Sequence, residues 1–258
     1  RTAFGTENNL SVSGGSDKTQ YFASANFLRN QGIIDETQFT RGGGRLRLDQ
    51  TIKDWLSISL GANYVISTSE EIPNGGLSEA YGALTGFIFS NNFINPQPVN
   101  GVYPSTAPTA ILRRTNPLEA IARFDFQQRT NRFIGDFQVN LTPITGLNIN
   151  YVLGYDNSTQ IATGFIPVGN TTPSYDRGYS RRADRTAYLL NNDLNVSYRT
   201  NLADWLESTT GIGATAQVEK VFRTGTTATQ LVPLVRTIDA GATILTSESR
   251  NDINILGF

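Results

Sequence analysis

The chain has 258 residues, a formal charge of −1, 17% charged residues, and neither Cys nor His. Balanced charge removes the electrostatic case for a nucleic-acid binder, whose basic face is concentrated; the missing Cys and His remove disulfide scaffolds, thiol nucleophiles, His-based triads and the commonest zinc sites. No uncharged apolar run approaches the ~18 residues a membrane helix needs, which excludes a helical membrane protein and leaves a β-barrel open. The chain opens on Arg1, contains no Met and carries no signal-peptide pattern, so the expectation is an internal piece of a longer chain.

Taken in order, the chain reads as strands. Weak alternation over 8–14 and 19–30 flanks a GSDK turn at 15–18, and a further run covers 41–52. After Lys53-Asp54 the pattern sharpens: Leu56, Ile58, Leu60, Ala62, Tyr64 and Ile66 share one parity, and Ser57, Ser59, Gly61, Asn63 and Ser67 share the other. Period 2 means strand, because successive side chains leave opposite faces. Residues 129–141 repeat it weakly and, after the PITG turn at 143–146, residues 147–156 repeat it strongly, with Leu147, Ile149, Tyr151, Leu153 and Tyr155 against Asn148, Asn150, Gly154 and Asp156. In 186–198, Tyr188, Leu190, Leu194, Val196 and Tyr198 oppose Asn191, Asp193, Asn195 and Ser197; a turn at 201–204 and runs over 205–219 and 246–258 complete nine candidate strands.

Three features separate these strands from those of a soluble sandwich. Several span more than ten residues, against a usual mode of about 5–6. Their polar face is mostly Ser, Asn, Gly and Gln rather than the Lys, Glu and Thr that meet bulk water, and their apolar face is nearly free of charge. Connections also alternate in length: 15–18, 53–54, 143–146 and 201–204 are tight, whereas 31–40, about 70–128, 159–183 and 220–245 are long. Short turns at one end and long loops at the other mark an outer-membrane barrel. The triplet Asp-Trp-Leu occurs twice, at 54–56 and 204–206, at the tight-turn end where Trp suits a headgroup layer. By parity, however, Trp55 falls with Ser57 and Trp205 with Glu207 on the polar face.

Residues 70–128 form the longest connection. Helical stretches are expected at 78–90 and at 116–123, the second with Asn116 as N-cap and Pro117 at the first helical position. Between them residues 95–109 are too rich in Pro for helix or ladder. A connection this long is a lid, a binding element or disordered, and its aromatics argue against disorder. Tyr81, Phe87, Phe89, Phe93 and Tyr103 are therefore candidates for ligand or partner contact, or they pack the loop onto the rim. Arg177, Arg181, Arg182 and Arg185 are candidates for gripping an anionic ligand or a lipopolysaccharide phosphate, or form a solvated loop base. Asp136, Asp156 and Asp193 lie on polar faces, where hydrogen-bonded wall carboxylates are commoner than catalytic ones. Gly42-Gly43-Gly44 lacks the Lys-Ser/Thr pair and the helix of a phosphate loop, and reads as a place where a strand bends or another backbone approaches closely. The Asn-x-Ser/Thr sequons matter only in a secreted eukaryotic protein.

The run LSVSGGSDKTQYFASANFLRNQGII at 10–34 and RGGGRLRLDQTIKDWLSISLGANY at 41–64 resemble the barrel region of SusC/RagA-type TonB-linked outer-membrane transporters. That family repeats a strand ending in SGG, a short polar turn, a Y-x-x-S strand, a Gly-Ile loop and an R-x-x-x-R-x-N-L-D run leading to Trp-Leu. Here Arg47 stands where Asn is common. The resemblance implies a barrel of about 22 strands with a plug, a TonB box and a SusD-like surface lipoprotein over the outer mouth.

The expected fold is thus all-β: a partial arc of an antiparallel transmembrane β-barrel meander. Residues 1–258 belong to one barrel domain, with 70–128 as a long extracellular insertion and no plug or TonB box within the sequence. The expected function is TonB-dependent import of an oligosaccharide or peptide, with no enzymatic activity, cofactor or metal. Expected partners are the outer-membrane bilayer, a SusD-like lipoprotein, TonB through a missing N-terminal region, and possible further outer-membrane subunits. Two alternatives stand beside it: a SusC-like barrel serving as scaffold of a larger secretion or surface complex, and a soluble all-β carbohydrate-binding module.

Overall fold

The structure, a computed structural model, describes residues 2–72, 81–106 and 114–258. The strands are β1 (Gly5–Gly15), β2 (Thr19–Gln31), β3 (Gln38–Lys53), β4 (Leu56–Glu70), β5 (Asp125–Leu141), β6 (Leu147–Val168), β7 (Arg177–Ala203), β8 (Leu206–Leu231) and β9 (Gly241–Gly257). Helices α1 (Ala83–Phe89) and α2 (Pro117–Arg123) lie between β4 and β5, and a 3-10 turn, Ile238–Ala240, precedes β9. All nine strands form one sheet in sequence order, each antiparallel to its neighbours. The sheet is not closed. Residues 78–80 of the first expected helix and 107–109 of the Pro-rich stretch lie outside the described residues.

Register joins like to like. Tyr21, Leu48, Leu60, Phe137 and Leu153 are successive cross-strand partners from β2 to β6, and they form one row of an apolar face. The row beside it on the other face reads Arg47, Gly61, Asp136, Gly154 and Asn191 from β3 to β7. A slip of one residue would exchange the two faces along a whole strand, so the alternation specifies the pairing.

The strict alternation of turns and loops is present, but two of the long connections are much shorter than expected. Residues 159–168 and 177–183 continue β6 and β7, and 220–231 and 241–245 continue β8 and β9, leaving loops of 169–176 and 232–240. Strands β6, β7 and β8 reach 22, 27 and 26 residues. Their outer parts mix Thr, Gln, Arg and Gly with scattered apolar residues such as Ile161, Phe165 and Ile166 on both faces, so period 2 disappears where the two faces no longer differ. β-Branched content, as in Thr224, Thr226, Thr227 and Thr229, remained as a signal.

The two Asp-Trp pairs occupy equivalent tight turns. Lys53 pairs with Leu56 and Ala203 with Leu206, each just after a register shift, at Thr51/Lys53 and Asn201/Ala203. No residue of either turn has positive φ; the local irregularity supplies the twist that a left-handed turn residue would otherwise give. Trp55 and Trp205 therefore precede their strands, and strand parity does not apply to them. Trp205 is 84% exposed, while Trp55 lies under the Lys53 ammonium, 5.6 Å from its ring centre.

A layered domain buries one apolar face against another. Among the described residues no second layer covers its apolar face: Leu10, Tyr21, Leu46, Tyr64 and Ile212 are all exposed. The buried apolar cluster lies instead at the loop end, around Ile72, Ala83, Ala120, Phe124, Ile166 and Tyr179.

The turn before β6 depends on Gly146, whose φ is +85°, and a Cβ there would stand 2.1 Å from the Arg199 carbonyl oxygen. Gly146→Ala is expected to lower stability by about 1–3 kcal/mol. Gly154→Ala, whose Cβ would find only an ordinary 3.9 Å contact with Asn191, should change it by less than about 1 kcal/mol. Thermal midpoints of the two variants in the full chain check the contrast.

Candidate functional site

The long connection is a folded platform, and one asparagine organises it. Asn116 caps α2: its side-chain oxygen accepts from the Leu118 and Glu119 amides at 2.9 and 3.3 Å. Its side-chain nitrogen donates to the carbonyls of Pro96 and Pro104 at 2.8 and 3.0 Å, and its backbone amide donates to Thr171 Oγ1 at 2.8 Å. A fully buried amide is tolerated because both its ends are bonded, and this one ties the Pro-rich stretch to the helix.

Glu119, one turn on, is 1% exposed. One carboxylate oxygen accepts from Arg123, and the other accepts from the Thr171 amide and hydroxyl at 2.8 and 2.6 Å. A buried carboxylate is costly unless it is paired and hydrogen-bonded, and here it is both. Asn170 donates to the carbonyls of Pro167 and Tyr175 and accepts from Thr172, and the Thr115 and Thr172 hydroxyls meet at 2.6 Å. The β4–β5 and β6–β7 connections are thereby joined through buried polar contacts. The contact of Glu119 with Thr171 joins residues 52 apart in the chain, and nothing in the spacing of the sequence marks it.

The five candidate aromatics divide. Tyr81 turns inward, stacked on Phe126 at 6.0 Å and edge-on to Tyr175 at 5.8 Å. Phe89 lies under the Arg114 guanidinium, 5.0 Å away, and Tyr103 is half-buried. Phe87 faces solvent, and Phe93 is 81% exposed. With Phe87 on α1 stand Leu84 and Ile88, also exposed, at the i, i+3, i+4 spacing of one helix face. In the sequence these two aliphatic residues read equally well as the core face of a helix. Val99 and Val102, across a small bridge, add to the exposed apolar surface.

Several charges on the polar face are cross-linked. Arg47 on β3 reaches Asp49 and, over β4, Asp136 on β5, each at 3.2 Å. Gly61 lies between Arg47 and Asp136 in register, and a Cβ there would stand 2.0 Å from the Asp136 carboxylate, so a glycine keeps this bridge open. Asp156 takes a two-point contact from Arg132, and Asp193 accepts from Asn191 and Thr215. Asp136, Asp156 and Asp193 thus each have a partner. Among the described residues no cluster of three acids or other metal-ligating groups occurs.

The candidate arginines separate by face. Arg182 pairs with Asp184 at 2.9 Å on the same parity as Tyr188, the apolar one. Arg177 opens β7, exposed. Arg181 and Arg185 lie on the polar face. Arg181 stands beside Tyr179, which lies at the loop end of β7 beyond the last apolar-face aromatic, Tyr188; burial pushes the Tyr179 phenol up, against the pull of the Arg181 cation.

Asn116→Ala should leave the Pro96 and Pro104 carbonyls and two helix amides short of a partner. That predicts a local loss of about 2–4 kcal/mol, read as faster amide hydrogen exchange of α2 and of residues 95–106. Asn116→Asp keeps the cap and loses the donor, so α2 should stay protected while 95–106 exchanges faster.

No family model matches the chain, and no curated protein matches it. Solved structures do. The RagAB peptide transporter matches over 98% of this chain and 29% of its own, at 19% identity and a TM-score of 0.78. The RagAB peptide importer in its "closed-closed" state matches over 97% and 29%, at 20% identity and 0.77. The siderophore receptor PiuA from Acinetobacter baumannii matches over 98% and 38%, at 11% identity and 0.53. The chain spans under a third of the RagAB chains it matches, and at these identities the likeness is one of fold. One antiparallel meander with tight turns at one end and loops at the other therefore has the fold of a barrel-type outer-membrane transporter, similar to the RagAB barrel, as the resemblance carried by residues 10–64 implies.

Proposed function

We propose that the chain is part of the wall of a SusC/RagA-type, TonB-dependent importer in an outer membrane. On this reading the apolar face meets lipid, the polar face lines the lumen, the Asp-Trp turns lie on the periplasmic side and the platform of α1 and α2 stands outside. The observation that carries the reading is the apolar row running unbroken through Tyr21, Leu48, Leu60, Phe137 and Leu153 on a single-layer sheet. Only lipid or another apolar layer makes such a face stable, and the transporter fold favours lipid.

The ligand is taken to be a peptide, the cargo named for the RagAB structures. In the proposed cycle it is held at the outer mouth beneath a SusD-like lipoprotein, TonB displaces a plug carried elsewhere in the protein, and the peptide passes through the lumen. This chain would contribute wall and platform and perform no covalent chemistry. The exposed Leu84, Phe87, Ile88 and Phe93 are the proposed contact for the lipoprotein lid, since clustered apolar groups of this kind on a rigid support mark interaction sites.

Arginine substitution tests the assignment of faces. Leu60→Arg or Leu153→Arg, in one cross-strand row, should cost about 2–4 kcal/mol near the bilayer midplane, read as loss of heat-resistant, assembled barrel in the full-length protein. Ser59→Arg places its cation beside Asp49, the present partner of the Ser59 hydroxyl, and should cost less than about 1 kcal/mol. Equal losses on both faces would overturn the reading.

A further inference from the structure

We infer that Arg185 and Arg223 form a carboxylate-binding site on the lumen wall that selects acidic peptides. The inference rests on the import reading above. The two arginines are direct cross-strand partners on β7 and β8, on the polar face. Opposite side chains in such a pair stand about 5 Å apart at Cβ, and like charges there are destabilising. The continuation of the row is neutral, with Gln160 beside Arg185 and Ser249 beside Arg223. Neither arginine forms an ion pair among the described residues, whereas Arg47 and Arg132 on the same face both do.

The surroundings leave room above the guanidinia. Ala162, Ala183, Gly225, Ser247 and Ser249 line, with the two arginines, a cavity of ≈ 360 Å³ that Asp184, already held by Arg182, and Glu248 also border from positions of the opposite parity. Arg181 joins them from the loop side. The polar-face acid Glu219 lies four residues from Arg223 along β8, roughly 13 Å at strand rise and beyond a Debye length of about 8 Å in physiological salt. Two forked cations set side by side over small neutral side chains make a bidentate seat for a carboxylate, which removes the mutual repulsion when it binds.

Position favours an incoming ligand as the occupant. At the same level the opposite face carries Asp184, Thr186, Phe222, Thr224, Glu248 and Arg250, one aromatic among charged and hydroxyl groups, which marks the outer margin of the apolar belt. Its row crosses β4 at Ser67, three residues before that strand ends at Glu70, so the pair stands just below the outer loops, on the path of a peptide that enters.

The test uses the full-length transporter with its lipoprotein partner in detergent and two dye-labelled pentapeptides. One is rich in Asp and Glu, and the other is its amidated Asn/Gln counterpart. Wild type should bind the acidic peptide about tenfold more tightly at low salt, and the preference should shrink as salt rises from about 0.05 to about 0.3 M. An R185Q/R223Q double variant should lose the preference and keep its affinity for the neutral peptide, which reports that the site is folded. R185K/R223K should retain part of the preference. Equal binding of both peptides by wild type, or a preference that survives in R185Q/R223Q, would overturn the inference and leave import standing. If R185Q/R223Q keeps the preference but exposes the plug to protease, plug carboxylates are the occupants and the inference fails. Failure of wild type to bind either peptide would remove the import reading together with this site.

Discussion

The sheet's single constraint is that each strand must satisfy its backbone through its two neighbours while sending alternate side chains into two different media. An antiparallel ladder does this with a period of two and nothing else. Everything positional in the molecule follows from that period. It puts Leu60 and Phe137 on one face and Arg47 and Asp136 on the other, and it makes the wall one residue thick. In a membrane such a wall has no edge-free alternative but closure with further strands, in keeping with a chain that spans less than a third of the RagAB chains it resembles.

Stability is accordingly divided between two regions that use different physics. The wall buries few of its own side chains and relies on ladder hydrogen bonds, cross-strand rows and whatever medium contacts its apolar face. The loop end behaves like a small soluble domain, with a packed cluster of Ile72, Ala83, Phe124, Ile166 and Tyr179 and a buried polar knot through Asn116 and Glu119. Because β6, β7 and β8 extend to this level, the platform is carried on strands rather than hung from loops. A binding surface on rigid elements holds its groups in place better than one on free segments. That is the setting of both the exposed Phe87 and Phe93 and the recess over Arg185 and Arg223.

Much of this was legible in the sequence, and the boundary of legibility is physical. Strand β4 was plain because Leu56 to Ile66 alternate against Ser and Asn, and the tight turns were marked by Gly, Pro and Asp. The outer halves of β6 to β8 were hidden because periodicity reports a contrast between faces, and residues such as Thr226 and Thr227 face polar surroundings on both sides. The Trp parity conflict came from counting Trp55 and Trp205 as strand residues when they complete the turns. Asn116 as N-cap of α2 was readable from Asn-Pro, whereas its bonds to Pro96 and Pro104 were not. Among the arginines, parity alone separates Arg182 from Arg181 and Arg185. The partner of Arg185 across the ladder, Arg223, needs the register, which only the fold supplies.

The central claim is that one face of this sheet meets lipid up to a definite height and water above it. Because the chain has no Cys, single Cys residues introduced along β8 and spin-labelled in the bilayer-embedded, full-length protein measure this directly through their access to oxygen and to a water-soluble nickel chelate. The account predicts alternating access with period two from about Thr210 to Val218, with oxygen favoured at Ile212, Ala214, Ala216 and Val218, and chelate access at successive positions from Phe222 to Thr227, before the buried Ala228. Uniform chelate access along the whole strand, or alternation continuing unchanged to Leu231, would contradict it.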